Sequence, residues 1–274
     1  MKAISVEKIT STIDGLGIAK GDNIFIHSSL FTLGNIAGHR VEELPNLLLQ
    51  CFQTAIGAEG SLFMPAFNYD FPKQRNANLI SQKTVLGFWP EWFRQQPNVE
   101  RSGHPMFSIC GLGQDAFEIC KSDTPEFHAF GPNSTFDRLV KKNATLVLQG
   151  IGLRVATVVV HIESMLQLKY RFNKPFHGDL TLINGENISG DFHHFCFPMN
   201  NAYRESYSRL EKALLNSKVM TKLTLGRSFI YAIKMKSLFE FIEKLVQQNP
   251  FALLNCTPTA LYRYENGQEI AYPL

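Results

Sequence analysis

Four stretches of this sequence carry residue types that could do chemistry. The first is His161 with Glu163. An imidazole whose pKa lies near neutrality, steadied by a carboxylate, can take the proton from an amine. The second is His27-Ser28-Ser29, followed by the small-residue loop Leu33 to Gly38. Hydroxyls and backbone N–H groups there could bind phosphate or an amide, although ordinary strand-to-helix turns also favour Ser and Gly. The third is Arg101-Ser102-Gly103-His104 with Ser108. Its guanidinium suits phosphate. Alternatively, Arg101 pairs with Glu100 or Glu91, and His104 is a satisfied, partly buried histidine. The fourth is Tyr170-Arg171-Phe172-Asn173-Lys174-Pro175-Phe176-His177-Gly178, cationic and aromatic, which Pro and Gly are expected to break.

The elements that must position these groups follow from periodicity. Asn23 to Ile26 reads as a buried strand that delivers His27, and Ala144 to Leu148 as another that closes on Gln149-Gly150-Ile151-Gly152. Thr157 to Tyr170 can wind as a helix carrying His161 and Glu163, with the Thr157 hydroxyl capping its start. Helices are expected over 4–17, 42–56, 87–94, 116–120, 136–140, 206–215 and 235–247, the fifth capped by Ser134 or Asn133. Strands are expected over 60–65, 109–113, 222–226 and 228–233, with a hairpin over 180–197. The loop from Phe67 to Thr84, with Asn68 and Asp70 near its start, is long enough to form a substrate lid or wall.

Composition narrows the function. The chain has 274 residues, 45% of them hydrophobic, which is enough for a full core. A net charge of +3, with Lys and Arg scattered, argues against nucleic-acid binding. The start of the chain lacks a signal-like apolar core and no stretch reaches spanning length, so a cytoplasmic protein without a membrane span is expected. The cysteines, Cys51, Cys110, Cys120, Cys196 and Cys256, form no C-x-x-C pair and read as free thiols. The cluster His193-His194-Phe195-Cys196 is a weak metal signal, and no metal is expected. A serine hydrolase is disfavoured, because no G-x-S-x-G elbow is present.

Taken together, these stretches resemble the aminoglycoside 3-N-acetyltransferase family of acetyl-CoA-dependent antibiotic acetyltransferases, from about Ile4 to Leu254. The landmarks are Ile26 to Leu30 with Gly34, Leu62 to Asn68, Glu91 to Arg94, Arg101 to Ser108, Gly131 to Ser134, and Thr157 to Glu163. The resemblance implies one α/β domain over 1–274, a three-layer α/β/α arrangement with a mixed central sheet. It implies acetyl-CoA as cosubstrate, held by His27, Ser28, Ser29, Arg101, Ser102, His104 and Ser108. Asn68, Asp70, Thr157, Tyr170, Arg171 and Lys174 are implied to meet the acceptor, and His161 and Glu163 to be catalytic. A homodimer is one open assembly state.

The Tyr170 to Gly178 segment looks like the family branch found beside surface-polysaccharide genes, which implies an amino sugar, free or nucleotide-linked, as acceptor. The alternatives are an aminoglycoside drug as acceptor, or coenzyme A binding without turnover. Polycationic drugs need an acidic pocket, whereas Asp70 lies beside Lys73, Arg75 and Lys83, and Arg171 and Lys174 suit a neutral or anionic acceptor.

One departure bears on mechanism. The family motif sets His three residues after the Thr and Glu three after the His. Here Val160 holds the His position, Glu163 is in place, and the histidine comes one step late at His161. One residue turns a helical side chain by about 100°, so His161 and Glu163 point to different faces. A local bulge could swing His161 into the site, another histidine (His27, His104 or His177) could serve, or transfer could be weak or lost.

Overall fold

The computed structural model describes residues 3–274. Its helices are α1 (Val6–Asp14), α2 (Leu44–Ile56), α3 (Phe71–Gln74), α4 (Phe88–Arg94), α5 (Ala116–Cys120), α6 (Thr135–Lys141), α7 (Thr157–Met165), α8 (Tyr207–Asn216) and α9 (Met235–Gln248). Its strands are β1 (Asn23–Ser28), β2 (Ser61–Pro65), β3 (Asn76–Asn78), β4 (Glu100–Arg101), β5 (Ile109–Gly113), β6 (Thr145–Gln149), β7 (Phe172–Thr181), β8 (Asn187–Cys196), β9 (Thr221–Leu225), β10 (Ser228–Lys234), β11 (Ala260–Glu265) and β12 (Gln268–Pro273).

Seven strands form the central sheet in the order β4-β5-β2-β1-β6-β10-β9. β1 runs parallel to both β2 and β6, while β5 and β10 flank them antiparallel. Both faces are covered, so the parallel strands read as near-continuous apolar runs. Alternation along β1 sends Ile24 and Ile26 into a core under α1, α2 and α4, and Phe25 into a larger core under α5 to α9. This is the expected three-layer α/β/α arrangement with a mixed sheet. From β1 the chain moves to β2 on one side and later to β6 on the other. The carboxyl ends of β1 and β6 therefore flank a topological switch point, where open α/β sheets bind ligands.

The 170–178 segment is not broken. Phe172 to Thr181 forms one long strand that pairs with β8, and β3 joins the other edge of β7 only at Asp179 to Thr181. Pro175 pairs across to His193 on β8, while its other edge has no strand partner, so its missing N–H costs the ladder nothing. Gly178 is required by close approach, since a Cβ there would collide with the Arg75 carbonyl. The 67–84 loop is likewise structured, holding α3 and β3. The helix at 157 begins without a side-chain cap: Ala156 occupies the cap position, and the Thr157 hydroxyl is buried with no partner.

Candidate active site

Helix α7 is regular from Thr157 to Met165, so no bulge redirects His161. His161 and Glu163 lie about 200° apart around the axis. His161 is fully buried, its ring stacked on Phe136 at 6.2 Å, and its Nδ1 accepts the Gly131 N–H at 3.2 Å. That bond places the proton on Nε2, which finds no partner. Burial pulls the imidazole down to about 4, so it is neutral at physiological pH.

Glu163 turns the other way, into a knot of its own. Its Oε2 lies 2.6 Å from Arg171 Nε and accepts the Tyr207 hydroxyl at 3.1 Å, while Oε1 accepts the Tyr170 hydroxyl at 2.9 Å. Arg171 also donates to Tyr207 at 3.2 Å, and its guanidinium lies 3.7 Å over the Phe197 ring. Burial pushes the Glu163 carboxyl up, and Arg171 with the two tyrosines opposes it. His161 and Glu163 therefore form no dyad, as helical periodicity implied, and Tyr170 and Arg171 are spent on holding Glu163.

The Arg101 to Ser108 segment is also spent internally. Arg101 donates to the carbonyls of Leu79 at 2.8 Å, Gln82 at 2.8 Å and Ala66 at 3.2 Å, and to Ser108 Oγ at 3.0 Å. Neither Glu100 nor Glu91 is its partner; Glu91 pairs with Arg94 at 2.6 Å. Ser102 Oγ accepts the Ile109 N–H at 2.9 Å, and Ser108 Oγ donates to the Ala66 carbonyl at 3.1 Å. His104 Nδ1 accepts the N–H groups of Met106 and Phe107, and its Nε2 faces the His193 carbonyl at 3.3 Å. These residues staple the 66–82 segment to the sheet, which leaves no free guanidinium for a phosphate. Asn68 closes its own turn, accepting from the Asp70 N–H and donating to the Lys83 carbonyl, while Asp70 is exposed. Lys174 reaches Glu269 at 3.4 Å, and His177 pairs with Asp191 on the exposed hairpin.

Several buried polar atoms without partners lie at or just beyond the carboxyl ends of β1 and β6: His27 Nε2, Ser28 Oγ and the Gln149 side-chain amide on the strands, and Thr157 Oγ1 at the start of α7. Others, such as Trp89 Nε1 and Tyr203 Oη, lie elsewhere in the chain. Ser28 lies opposite Gln149 in the β1–β6 ladder, and Ser29 N–H donates to the Gln149 carbonyl at 2.8 Å. Ser28 and Gln149 share one face of the sheet and His27 the other, so the strand ends offer polar atoms on both sides. Gly150 must be glycine here: its φ is +72°, and a Cβ would collide with Thr32 and the Ser29 carbonyl. Buried polar groups cost free energy unless something bonds them, so this edge is suited to a polar chain such as the amide-bearing arm of coenzyme A.

Sequence reasoning considered His194 only as a weak metal ligand. It is half-buried on β8, opposite Lys174, with its ring 4.8 Å from Phe107 and 6.5 Å from Phe130. Burial, then Arg171 and Lys174, pull it down to about 3. The hairpin expected over 180–197 left out the cationic segment, so only the observed pairing of β7 with β8 sets His194 opposite Lys174. Among the described residues no three His, Cys, Asp or Glu side chains converge as metal ligands, and no helix is long and apolar enough to cross a membrane.

A family profile described as aminoglycoside 3-N-acetyltransferase matches residues 25–247. The chain belongs to that family. It is an N-acetyltransferase by that membership. Aminoglycoside N(3)-acetyltransferase VII of Streptomyces paromomycinus is 25% identical over 205 residues, covering 68% of this chain and 69% of the relative. Aminoglycoside N(3)-acetyltransferase IX of Micromonospora chalcea is 24% identical over 208 residues, covering 69% and 72%. The structure of AAC-IIIb with CoASH superposes with a TM-score of 0.75 at 15% identity, covering 94% of this chain and 100% of that one. YokD from Bacillus subtilis gives 0.74 at 19% identity, covering 91% and 95%. The family resemblance read from the motifs thus holds. The relatives are named for aminoglycosides, and none supports the expected link to surface polysaccharide.

Proposed function

We propose that this chain transfers the acetyl group of acetyl-CoA to an amine of an amino sugar, with aminoglycosides the acceptor class that the relatives' names support. The observation that carries this reading is the row of buried, unpartnered polar side chains at the carboxyl ends of β1 and β6, set beside the family match. Acetyl-CoA supplies an activated thioester carbonyl. Ser28, Gln149, Thr157 and His27 would hold its amide-bearing arm. The first N–H groups of α7, which no side chain caps, give partial positive charge suited to a carbonyl oxygen as negative charge grows on it.

The acceptor amine must lose a proton, and the helix offers no base for this. Val160 occupies the motif position, and His161 is sealed against Phe136. His194 lies opposite Lys174 on β8 with its ring among Phe107 and Phe130, and its low pKa makes it a weak base. The amine therefore enters largely by its own ionisation, and the rate follows the fraction of neutral amine. Release of coenzyme A thiol, together with acetylated product identified by mass, tests the reading across aminoglycosides, hexosamines and nucleotide-linked amino sugars. Thiol release with none of them, while coenzyme A still raises the melting temperature, would favour a second reading that Val160 itself motivates: a coenzyme-A-binding homologue with impaired catalysis.

A further inference from the structure

Beyond its amide-bearing arm, coenzyme A carries a diphosphate and an adenine, and Arg101, the guanidinium expected to meet phosphate, is spent on carbonyls. A second guanidinium stands at the strand ends. Arg227 lies in the turn between β9 and β10, beside the carboxyl end of β6, where the Phe229 carbonyl accepts the Gly150 N–H at 2.8 Å. Its backbone N–H donates to the Leu33 carbonyl at 3.1 Å. Its side chain lies on Gly34, where a Cβ would come within 2.5 Å of Nε and 3.2 Å of Nη2. Gly34 ends the 3₁₀ turn Leu30–Leu33, which follows Ser28 and Ser29 directly. That turn is tied to both strand ends, since the Thr32 hydroxyl donates to the carbonyls of Ser29 at 2.7 Å and Gly150 at 3.3 Å. Arg227 is exposed, and its side chain makes no ion pair or hydrogen bond among the described residues.

The same turn holds an aromatic pair in water. Phe31 is 59% exposed and Phe88, at the start of α4, 40%, so ring faces remain open to a ligand; the two rings lie 6.2 Å apart and within 15° of parallel. Phe31 and Gly34 are three residues apart across a 3₁₀ turn, so the ring and the guanidinium share one side of it. We infer that Arg227 binds the diphosphate of coenzyme A and that the Phe31–Phe88 pair takes its adenine. The inference deepens the acetyl-transfer reading and rests on its placement of the coenzyme's arm beside Ser28 and Gln149. The order of groups along the coenzyme then matches their order along the protein surface: the arm at the unpartnered side chains, the phosphates one turn further on, the base against the flanking rings. A guanidinium offers paired N–H donors to phosphate oxygens, and an aromatic face stacks a base while leaving water.

Titration calorimetry of the full chain with coenzyme A and with 4′-phosphopantetheine, no acceptor present, separates the two contacts. Arg227→Gln should weaken both compounds by about tenfold or more and flatten the loss of coenzyme A affinity as salt rises. Phe31→Ser joined to Phe88→Ser should weaken coenzyme A by about fivefold or more and leave 4′-phosphopantetheine unchanged, which also shows that the variant is folded. Coenzyme A bound as tightly by Arg227→Gln as by the unaltered chain would overturn the phosphate contact. Ring loss that leaves coenzyme A binding unaltered, or that weakens 4′-phosphopantetheine as much, would overturn the adenine contact. Thiol release from acetyl-CoA at an unaltered KM in both variants would overturn this assignment and leave acetyl transfer standing, whereas no binding of coenzyme A by the unaltered chain would remove both.

Discussion

Replacing Arg171 by methionine leaves Glu163 as a carboxylate in an apolar interior with only two tyrosine hydroxyls to hold it. Glu163 is 0% exposed and Arg171 9%, so water replaces little of what is lost. Removing one partner of such a buried pair costs about 3–5 kcal/mol. Here the cost has a ceiling, because the carboxyl can take up a proton instead. Protonating a group of ordinary pKa 4.5 at pH 7 costs about 3.4 kcal/mol. The Arg171→Met variant should therefore lose about 3 kcal/mol at pH 7 in urea unfolding followed by circular dichroism. The sign of the pH dependence follows. With its folded pKa raised above 4.5, Glu163 in the variant binds more protons folded than unfolded. The deficit then grows towards neutrality, by at most about 1.4 kcal/mol per pH unit because the unaltered fold already raises this carboxyl. Glu163→Gln strands the guanidinium instead, which cannot shed its proton, so its cost should be similar but flat with pH. Joining the two changes should recover most of the loss. A cost below about 1 kcal/mol for Arg171→Met, or one that does not vary with pH, would refute the view that this pair is a structural anchor.

Further predictions follow from the same geometry. Val160→His puts an imidazole on the half-buried motif face, one turn from Glu163, and should raise kcat/KM for acetyl transfer by about 10²-fold or more; thiol-release kinetics check this. Arg101→Ala removes its bonds to the carbonyls of Leu79, Gln82 and Ala66, leaving only the Ser108 hydroxyl on Ala66, and should loosen the 66–82 segment, seen as faster amide hydrogen exchange there. His27 and His104, both buried and drawn down to about 3, stay neutral in the fold while the unfolded chain takes up protons near 6.5. Each should thus cost about 2 kcal/mol of stability between pH 6.5 and 5, and melting temperatures across that window should fall less steeply in His27→Asn.

Much of the fold was legible because local pattern and tertiary demand agree. The apolar runs at 23–26 and 144–148 became the paired central strands, and the turn at Gly226 became the β9–β10 hairpin. Periodicity alone also set His161 and Glu163 on different faces of α7, as the structure finds. What failed was whatever depended on distant partners. Pro175 and Gly178 look like breakers locally, yet one sits where β7 has no second neighbour and the other where the Arg75 carbonyl presses in. Arg101 beside Ser102 and His104 looks like a phosphate anchor, but carbonyls of the 66–82 segment, remote in sequence, had already claimed it. His194 carried no motif of its own. Only the cross-strand pairing with Lys174 brought it beside the cationic segment.

The most direct measurement compares the pH–rate profile of acetyl transfer, read as coenzyme A thiol release, in the unaltered chain and in His161→Asn. The account predicts profiles of one shape, with the rate per folded molecule rising with the acceptor's neutral amine and no break near pH 6.5. A break there that vanishes in His161→Asn, together with loss of turnover, would contradict it and restore His161 as the base.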